Sequence, residues 1–198
     1  SADGSVIVGG TAKFGALRAF RWTASSGMQN LGTLGGTESV AWSVSADGAV
    51  VVGYALDSSN KRRAFRWTQQ DGMRDLGTGV RSGNSTQFYD QSESWAVSPD
   101  GNVIVGIAYN SNRNEAVGFR NIYDPQSNQR FNELLSETPI GFTAVYPYHT
   151  NQDGSIIVGR MRRQEDGRGR AFRWTKAGGI EDLNVTYANL LGPGEYLE

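Results

Sequence analysis

The sequence predicts an all-β chain, a repeat-built β-propeller-like array of about four antiparallel four-stranded units, and three observations predict it. Four families of segments recur in a fixed order along the 198 residues. Their apolar residues form β-branched runs or follow the two-residue period of a strand. An Asp-Gly pair, the strongest short hairpin signal, joins the last segment of each series to the first segment of the next.

The first segment is SADGSVIVG from Ser1, SADGAVVVG from Ser45, SPDGNVIVG from Ser98 and NQDGSIIVG from Asn151. The second is RAFRW at Arg18, Arg63 and Arg170, with VGFRN at Val117 in the third unit. The third is MQNL at Met28, MRDL at Met73, FNEL at Phe131 and IEDL at Ile180. The fourth, running into the next Asp-Gly, is VAWSVSADG from Val40, SWAVSPDG from Ser94 and VYPYHTNQDG from Val145. The Asp-Gly pairs are expected to turn with both residues at positive φ. Further turns are expected at 24–27 and 69–72, and only 185–191 offers a helical period.

These repeats divide a single repeat domain, 1–198, into units of approximately 1–44, 45–97, 98–150 and 151–198. Four-stranded sheets of this size bury their faces by packing around an axis, the propeller solution. A β-solenoid is the alternative, although it would use shorter coils without antiparallel turns. A β-sandwich accounts for the strands and not for the repetition. The first unit lacks a strand before its Asp-Gly, and the chain is expected to be a fragment of a longer exported protein.

Several residue sets are structural by this pattern. Asp3, Asp47, Asp100 and Asp153 are turn residues; as calcium ligands they would bring one carboxylate per unit where the ion takes six to eight oxygens. Phe20, Phe65, Phe119 and Phe172 are expected in the core between units, together with Trp42 and Trp95. Arg21, Arg66, Arg120 and Arg173 occur in every unit. Their uniformity argues for stacking on aromatic rings or pairing with carboxylates such as Asp75 or Asp182, rather than for a channel site taking an anionic ligand.

Catalytic patterns are thin. The chain has no cysteine and one histidine, His149, with no Gly-x-Ser-x-Gly around any serine. No cofactor and no metal are expected, since zinc sites draw on several His or Cys residues. Asp90, Glu93, Asp124, Glu133 and Glu137 are the carboxylates of the irregular third unit, and no spacing singles out a pair for glycoside hydrolysis. A net charge of −1 gives no reason to expect nucleic acid, and no stretch reaches the roughly 20 apolar residues of a membrane helix.

Function is expected where the repeat is broken. The insertion 78–91 carries Phe88 and Tyr89 among small polar residues, 109–115 is rich in Asn, and 160–170 carries Arg160, Arg162, Arg163, Arg168 and Arg170. Phe88, Tyr89 and these five arginines are the candidate ligand-binding residues, with a glycan or a host or matrix protein as partner.

At the RAFRW motifs, the SADGxVVVG segments and Leu34-Gly35-Gly36, the chain resembles the HAF repeat family of bacterial extracellular proteins. It departs at the residue that names the family, with Arg18, Arg63, Val117 and Arg170 in place of His. The third unit departs further, with Gly118 and Asn121. The resemblance implies export, often as the passenger of an autotransporter, and a place at the bacterial cell surface. It implies no reaction. The resulting expectation is a non-enzymatic module for display, adhesion or structure. A carbohydrate-active, sialidase-like propeller is the alternative, although adjacent Asp-Gly departs from the sialidase Asp-box, in which one residue separates the two.

Overall fold

The computed structural model describes residues 1–12, 15–111, 115–124 and 126–197. Among them the regular secondary structure is almost entirely strand. The strands are β1 (Val6–Thr11), β2 (Arg18–Thr23), β3 (Gly27–Asn30), β4 (Gly35–Val44), β5 (Val51–Asp57), β6 (Arg62–Thr68), β7 (Gly72–Asp75), β8 (Gly79–Ser82) and β9 (Ser85–Phe88). They continue with β10 (Gln91–Val97), β11 (Ile104–Asn110), β12 (Glu115–Asp124), β13 (Gln129–Leu134), β14 (Phe142–Thr150), β15 (Ile156–Arg163), β16 (Gly169–Thr175) and β17 (Gly179–Asp182). One helical turn, α1 (Leu183–Thr186), and a 3₁₀ turn at Ala188–Leu190 fall in and beside the segment where a helical period was legible. None of these helices is long and apolar enough to cross a membrane, which says nothing of a β-barrel.

The strands form four antiparallel meanders, β1–β3, β4–β7, β10–β13 and β14–β17. The first has three strands, not the four expected of each unit. The third and fourth are hydrogen-bonded into one larger sheet by the parallel pair Ala116↔Ala144, and hairpin β8–β9 adds to β13. Meanders and sequence units are out of phase by one strand, because the strand preceding each Asp-Gly turn pairs with the strand that follows it.

The Asp-Gly turns are not of the type with two positive φ angles. Only the glycine is left-handed (Gly4 72°, Gly48 73°, Gly101 75°, Gly154 70°). Gly48 donates its amide to the Ser45 carbonyl at 2.9 Å and Ser45 donates to Val50, closing a four-residue loop. The Asp side chain organises that loop: Asp47 accepts from Ser45 Oγ (2.5 Å) and the Ala49 amide (3.0 Å). Asp3 and Asp100 accept from the corresponding Ser1 and Ser98 hydroxyls and Ser5 and Asn102 amides, whereas Asp153, with Asn151 in place of that serine, accepts from both the hydroxyl and the amide of Ser155.

Opposite the Phe of each second segment stands a glycine: Gly9↔Phe20, Gly53↔Phe65, Gly106↔Phe119, Gly159↔Phe172. Side-chain-free backbone is required here on both sides. A Cβ on Gly53, Gly106 or Gly159 would lie 1.9–2.1 Å from a carbonyl oxygen of β4, β10 or β14. Phe65, Phe119 and Phe172 fill the resulting layer and are fully buried. Phe20 is only partly buried; among the described residues β1 is the edge strand of its meander.

Buried clusters lie between successive meanders. Val8 packs on the cluster of Val51 and Phe65, Val50 and Val52 meet Ile104, and Val103 and Val105 meet Ile157 and Phe172. Serine hydroxyls staple the same joints. Ser39 accepts the Ala19 amide (3.0 Å) and donates to the Gly32 carbonyl (2.6 Å), and Ser92 does the same for Ala64 and Gly77. The third unit breaks the pattern with Asn121 where the others have Trp. Asn121 is buried against Asn132, whose amide reaches the Leu76 and Gly79 carbonyls and so anchors the inserted hairpin β8–β9.

Candidate functional site

Each of β4, β10 and β14 carries a β-bulge, and the three bulges are equivalent. The register steps from Ala41 to Ser43, from Ser94 to Ala96 and from Pro147 to His149. The unpaired residues are therefore Trp42, Trp95 and Tyr148. A bulge re-aims the side chain it inserts. Trp42 is 53% exposed and Tyr148 41% exposed, with Trp95 half-buried between them. The expectation that Trp42 and Trp95 are core is corrected here: their position in the period is an inward one, and the bulge turns it outward.

The row is tied together by polar groups from the neighbouring strands. Trp95 stacks on Tyr148 (centroids 5.4 Å apart) and on Tyr146 (5.8 Å, 9° between planes). Its Nε1 donates to Glu93 Oε2 at 3.1 Å, and the other Glu93 oxygen takes Arg62 Nη1 at 2.6 Å. Arg62 lies 4.5 Å over the Tyr54 ring, Tyr54 sits beside Trp42, and the Tyr54 hydroxyl donates to Glu38 at 2.5 Å. A hollow of about 580 Å³ is lined by Trp42, Glu93, Trp95, Tyr148 and His149. On the other side of Glu93 a second hollow of about 360 Å³ is lined by residues that include Arg62, Tyr109, Glu115, Tyr146 and Arg162.

Protonated phenols and paired charges line these hollows. Burial, then the hydrogen bond to Glu38, pushes Tyr54 up to about 12. Burial, then the nearby Glu93 carboxylate, pushes Tyr109 up to about 12. Both remain neutral hydroxyls across the physiological range. Glu93 is 7% exposed and has both oxygens engaged, so it holds Arg62 and Trp95 in place.

The expected site residues are placed as follows. Phe88, on β9, is 76% exposed, whereas Tyr89 is buried with Val80, Ala108 and Phe119 and presents no surface for stacking. The arginines of 160–170 do not form one patch. Arg160 is partly buried on β15, Arg162 reaches Thr143 and the smaller hollow, and Arg163 pairs with Glu165 and Asp166. Arg168 stands over the Tyr196 ring, and Arg170 is partly buried on β16. Within 109–115, residues 112–114 lie outside the described residues.

The repeated arginines are tied to neighbours, as their uniformity suggested, but not to Asp75 or Asp182. Arg21 donates to the Gly48 carbonyl (3.0 Å), and Arg173 pairs with Glu181 (2.6 Å). Arg120 pairs with Glu133 (2.5 Å) while its guanidinium lies 4.9 Å over Trp174. Arg66 sits 3.7 Å from Asp71, and burial lowers its pKa. The third-unit carboxylates each have a separate partner: Asp90 takes Lys61 and the Ser111 amide, Asp124 takes Ser127, Glu133 takes Arg120 and Glu137 takes Ser82. Among the described residues no three His, Asp or Glu side chains cluster as metal ligands.

No family model matches the chain, and no curated protein matches it in sequence. Solved structures match it in fold. The structure of putative TolB from Agrobacterium tumefaciens superposes with a TM-score of 0.57 at 14% identity, over 91% of this chain and 61% of that one. TolB from Acinetobacter baumannii superposes with a TM-score of 0.57 at 15% identity, over 91% of this chain and 40% of that one. The chain thus spans less than two thirds of the length of each. At such identity the likeness is one of fold alone, and what it establishes is an all-β, β-propeller-like architecture shared with the TolB structures.

Proposed function

We propose that the chain is a non-enzymatic, exported module of four propeller-like repeat units that binds a glycan through Trp42, Trp95 and Tyr148. The observation that carries this is the threefold bulge. Three equivalent strands each insert one aromatic residue toward solvent, where an unbulged strand would have buried it or left it paired. Flat aromatic faces take the C–H faces of sugars, and the hydrogen-bonding groups of the adjoining hollow across Glu93 (Arg62, Tyr109, Asn110, Ser111) suit hydroxyls. The resemblance to HAF repeats supports export and surface display. A carbohydrate-cleaving reading has less support, because the nearby carboxylates are each held by another group.

Binding of the purified chain to an array of glycans and matrix proteins tests this. The expected result is a glycan signal that falls at least tenfold in Trp42→Ala and Trp95→Ala and is unchanged in Phe88→Ala. A signal confined to matrix proteins, or one lost only in Phe88→Ala, would move the site from the bulge row to hairpin β8–β9. A blank array would leave a spacer role.

A further inference from the structure

The four repeated arginines differ in what stands across the sheet from them. In the third and fourth meanders the register sets a glutamate opposite the arginine, Arg120↔Glu133 and Arg173↔Glu181, and the pairs close at 2.5 and 2.6 Å. In the first and second meanders the opposing residues are Gln29 and Arg74 (Arg21↔Gln29, Arg66↔Arg74). One is uncharged and the other is a second cation. Like charges directly opposite one another on a sheet are destabilising.

The two arginines without a facing glutamate share one hollow. It has a volume of about 450 Å³, and Arg21, Gly48, Val50, Arg66, Trp67 and Gln69 are among its walls. Arg21 donates its Nε to the Gly48 carbonyl at 3.0 Å and has no carboxylate partner among the described residues. Arg66 comes only within 3.7 Å of Asp71, and its buried Nε has no hydrogen-bond partner among the described residues. A buried donor left unpaired carries a free-energy penalty that an acceptor removes. Arg130, on β13, adds to the positive field. Burial, and then the Arg66 cation, lowers its pKa to about 10, against the pull of Asp100. This hollow shares no residue with those beside Trp42 and Glu93, so it stands independently of the aromatic row.

We propose that Arg21 and Arg66 bind a phosphate group in this hollow, with Arg74 adding to its attraction. Guanidinium forks match phosphate oxygens in geometry and charge. Three arginines against one loosely placed aspartate favour a group that carries close to two negative charges at neutral pH. The glutamates of the third and fourth meanders are the built-in equivalent of that anion. A free phosphate and a phosphate monoester present the same chemistry to the two arginines.

Calorimetric titration of the full chain at fixed ionic strength tests this, with inorganic phosphate, glycerol phosphate and, as the uncharged reference, glycerol. Saturable binding of phosphate is expected, about tenfold weaker in Arg21→Gln and in Arg66→Gln, with no heat from glycerol. Tighter binding of glycerol phosphate than of inorganic phosphate would make a monoester the ligand, and equal binding would make it the free ion. Arg74→Glu supplies the carboxylate that the third and fourth meanders already have. It is expected to abolish phosphate binding while melting no lower than wild type, because an opposite-charge pair replaces a like-charge one. Phosphate is expected to raise the melting midpoint of wild type and not that of Arg74→Glu. Arg173→Gln, at an arginine already paired, is expected to bind phosphate as wild type does. A wild type that takes up neither phosphate overturns the proposal. So does binding that survives Arg74→Glu, or that Arg173→Gln weakens as much as Arg66→Gln.

Discussion

Two sets of aromatic residues recur once per unit in this chain, and the fold treats them oppositely. Phe65, Phe119 and Phe172 are fully buried beneath the carbonyls of β4, β10 and β14. Trp42, Trp95 and Tyr148, on those same strands, are bulged outward, with Trp42 and Tyr148 exposed and Trp95 stacked on Tyr148. Hydrophobicity does not sort them, since Trp is as apolar as Phe by area. Backbone geometry does. The glycine opposite each buried Phe lets the strand ahead of it approach closely, and at that point the strand bulges and inserts one aromatic outward. Core layer and aromatic row are thus two consequences of one contact, and altering the contact should disturb both.

The largest effect is expected where a side chain enters that contact. Gly106→Ala puts a Cβ 2.1 Å from the Glu93 carbonyl, and a loss of about 4 kcal/mol or more, or failure to fold, is expected in denaturant unfolding. Gly9→Ala meets only the Phe20 ring at 3.0 Å and should cost far less; equal losses would break the comparison. Removing the buried ring instead, Phe119→Ala, is expected to cost about 3–5 kcal/mol from lost transfer energy and the cavity left behind. Phe20→Ala, at the partly buried counterpart, should cost clearly less, measured the same way.

Effects at the hairpins between these strands should be smaller. The Ser45 hydroxyl, then the Ala49 amide, hold Asp47 below the usual carboxylate range, and Ser155 does the same for Asp153. A carboxylate depressed in the folded state adds stability that is complete above its unfolded pKa of about 3.9 and is lost as pH falls through the lower folded value. Unfolding midpoints should therefore fall as pH drops below about 4, and Asp47→Asn should flatten that fall; an unchanged acid slope would show that the turn carboxylate does not matter. The smallest effect on stability belongs to the bulge row itself, the counterpart to its expected effect on binding. Trp42→Ala should change stability by no more than about 0.5 kcal/mol, because the ring is exposed. A larger loss in thermal unfolding would make Trp42 a packing residue after all.

The repeat, the strands and the turn positions were legible because each is a local property: β-branched runs, two-residue alternation and Asp-Gly pairs all act within a few residues. The Phe positions were legible for the same reason. The Asp residues were legible as turn residues, but not that their side chains close a loop in which only the glycine has a positive φ. What misled was alternation itself. Val40, Trp42 and Val44 share a face by count, yet one extra residue at Trp42 breaks that count, and nothing in the tripeptide Ala41-Trp42-Ser43 marks it. Likewise Phe88 and Tyr89 are adjacent in sequence, but one ends a hairpin strand in solvent while the other enters the core.

The sequence by itself determined an all-β chain of repeating strands, the hairpins that join them and the phenylalanines that fill its layers, since periodicity and turn chemistry are short-range. Only the tertiary structure decided which aromatics face solvent and which arginines pair with which acids. Those outcomes depend on how closely one strand's carbonyls approach a glycine on the next, distances that exist only once the meanders are packed.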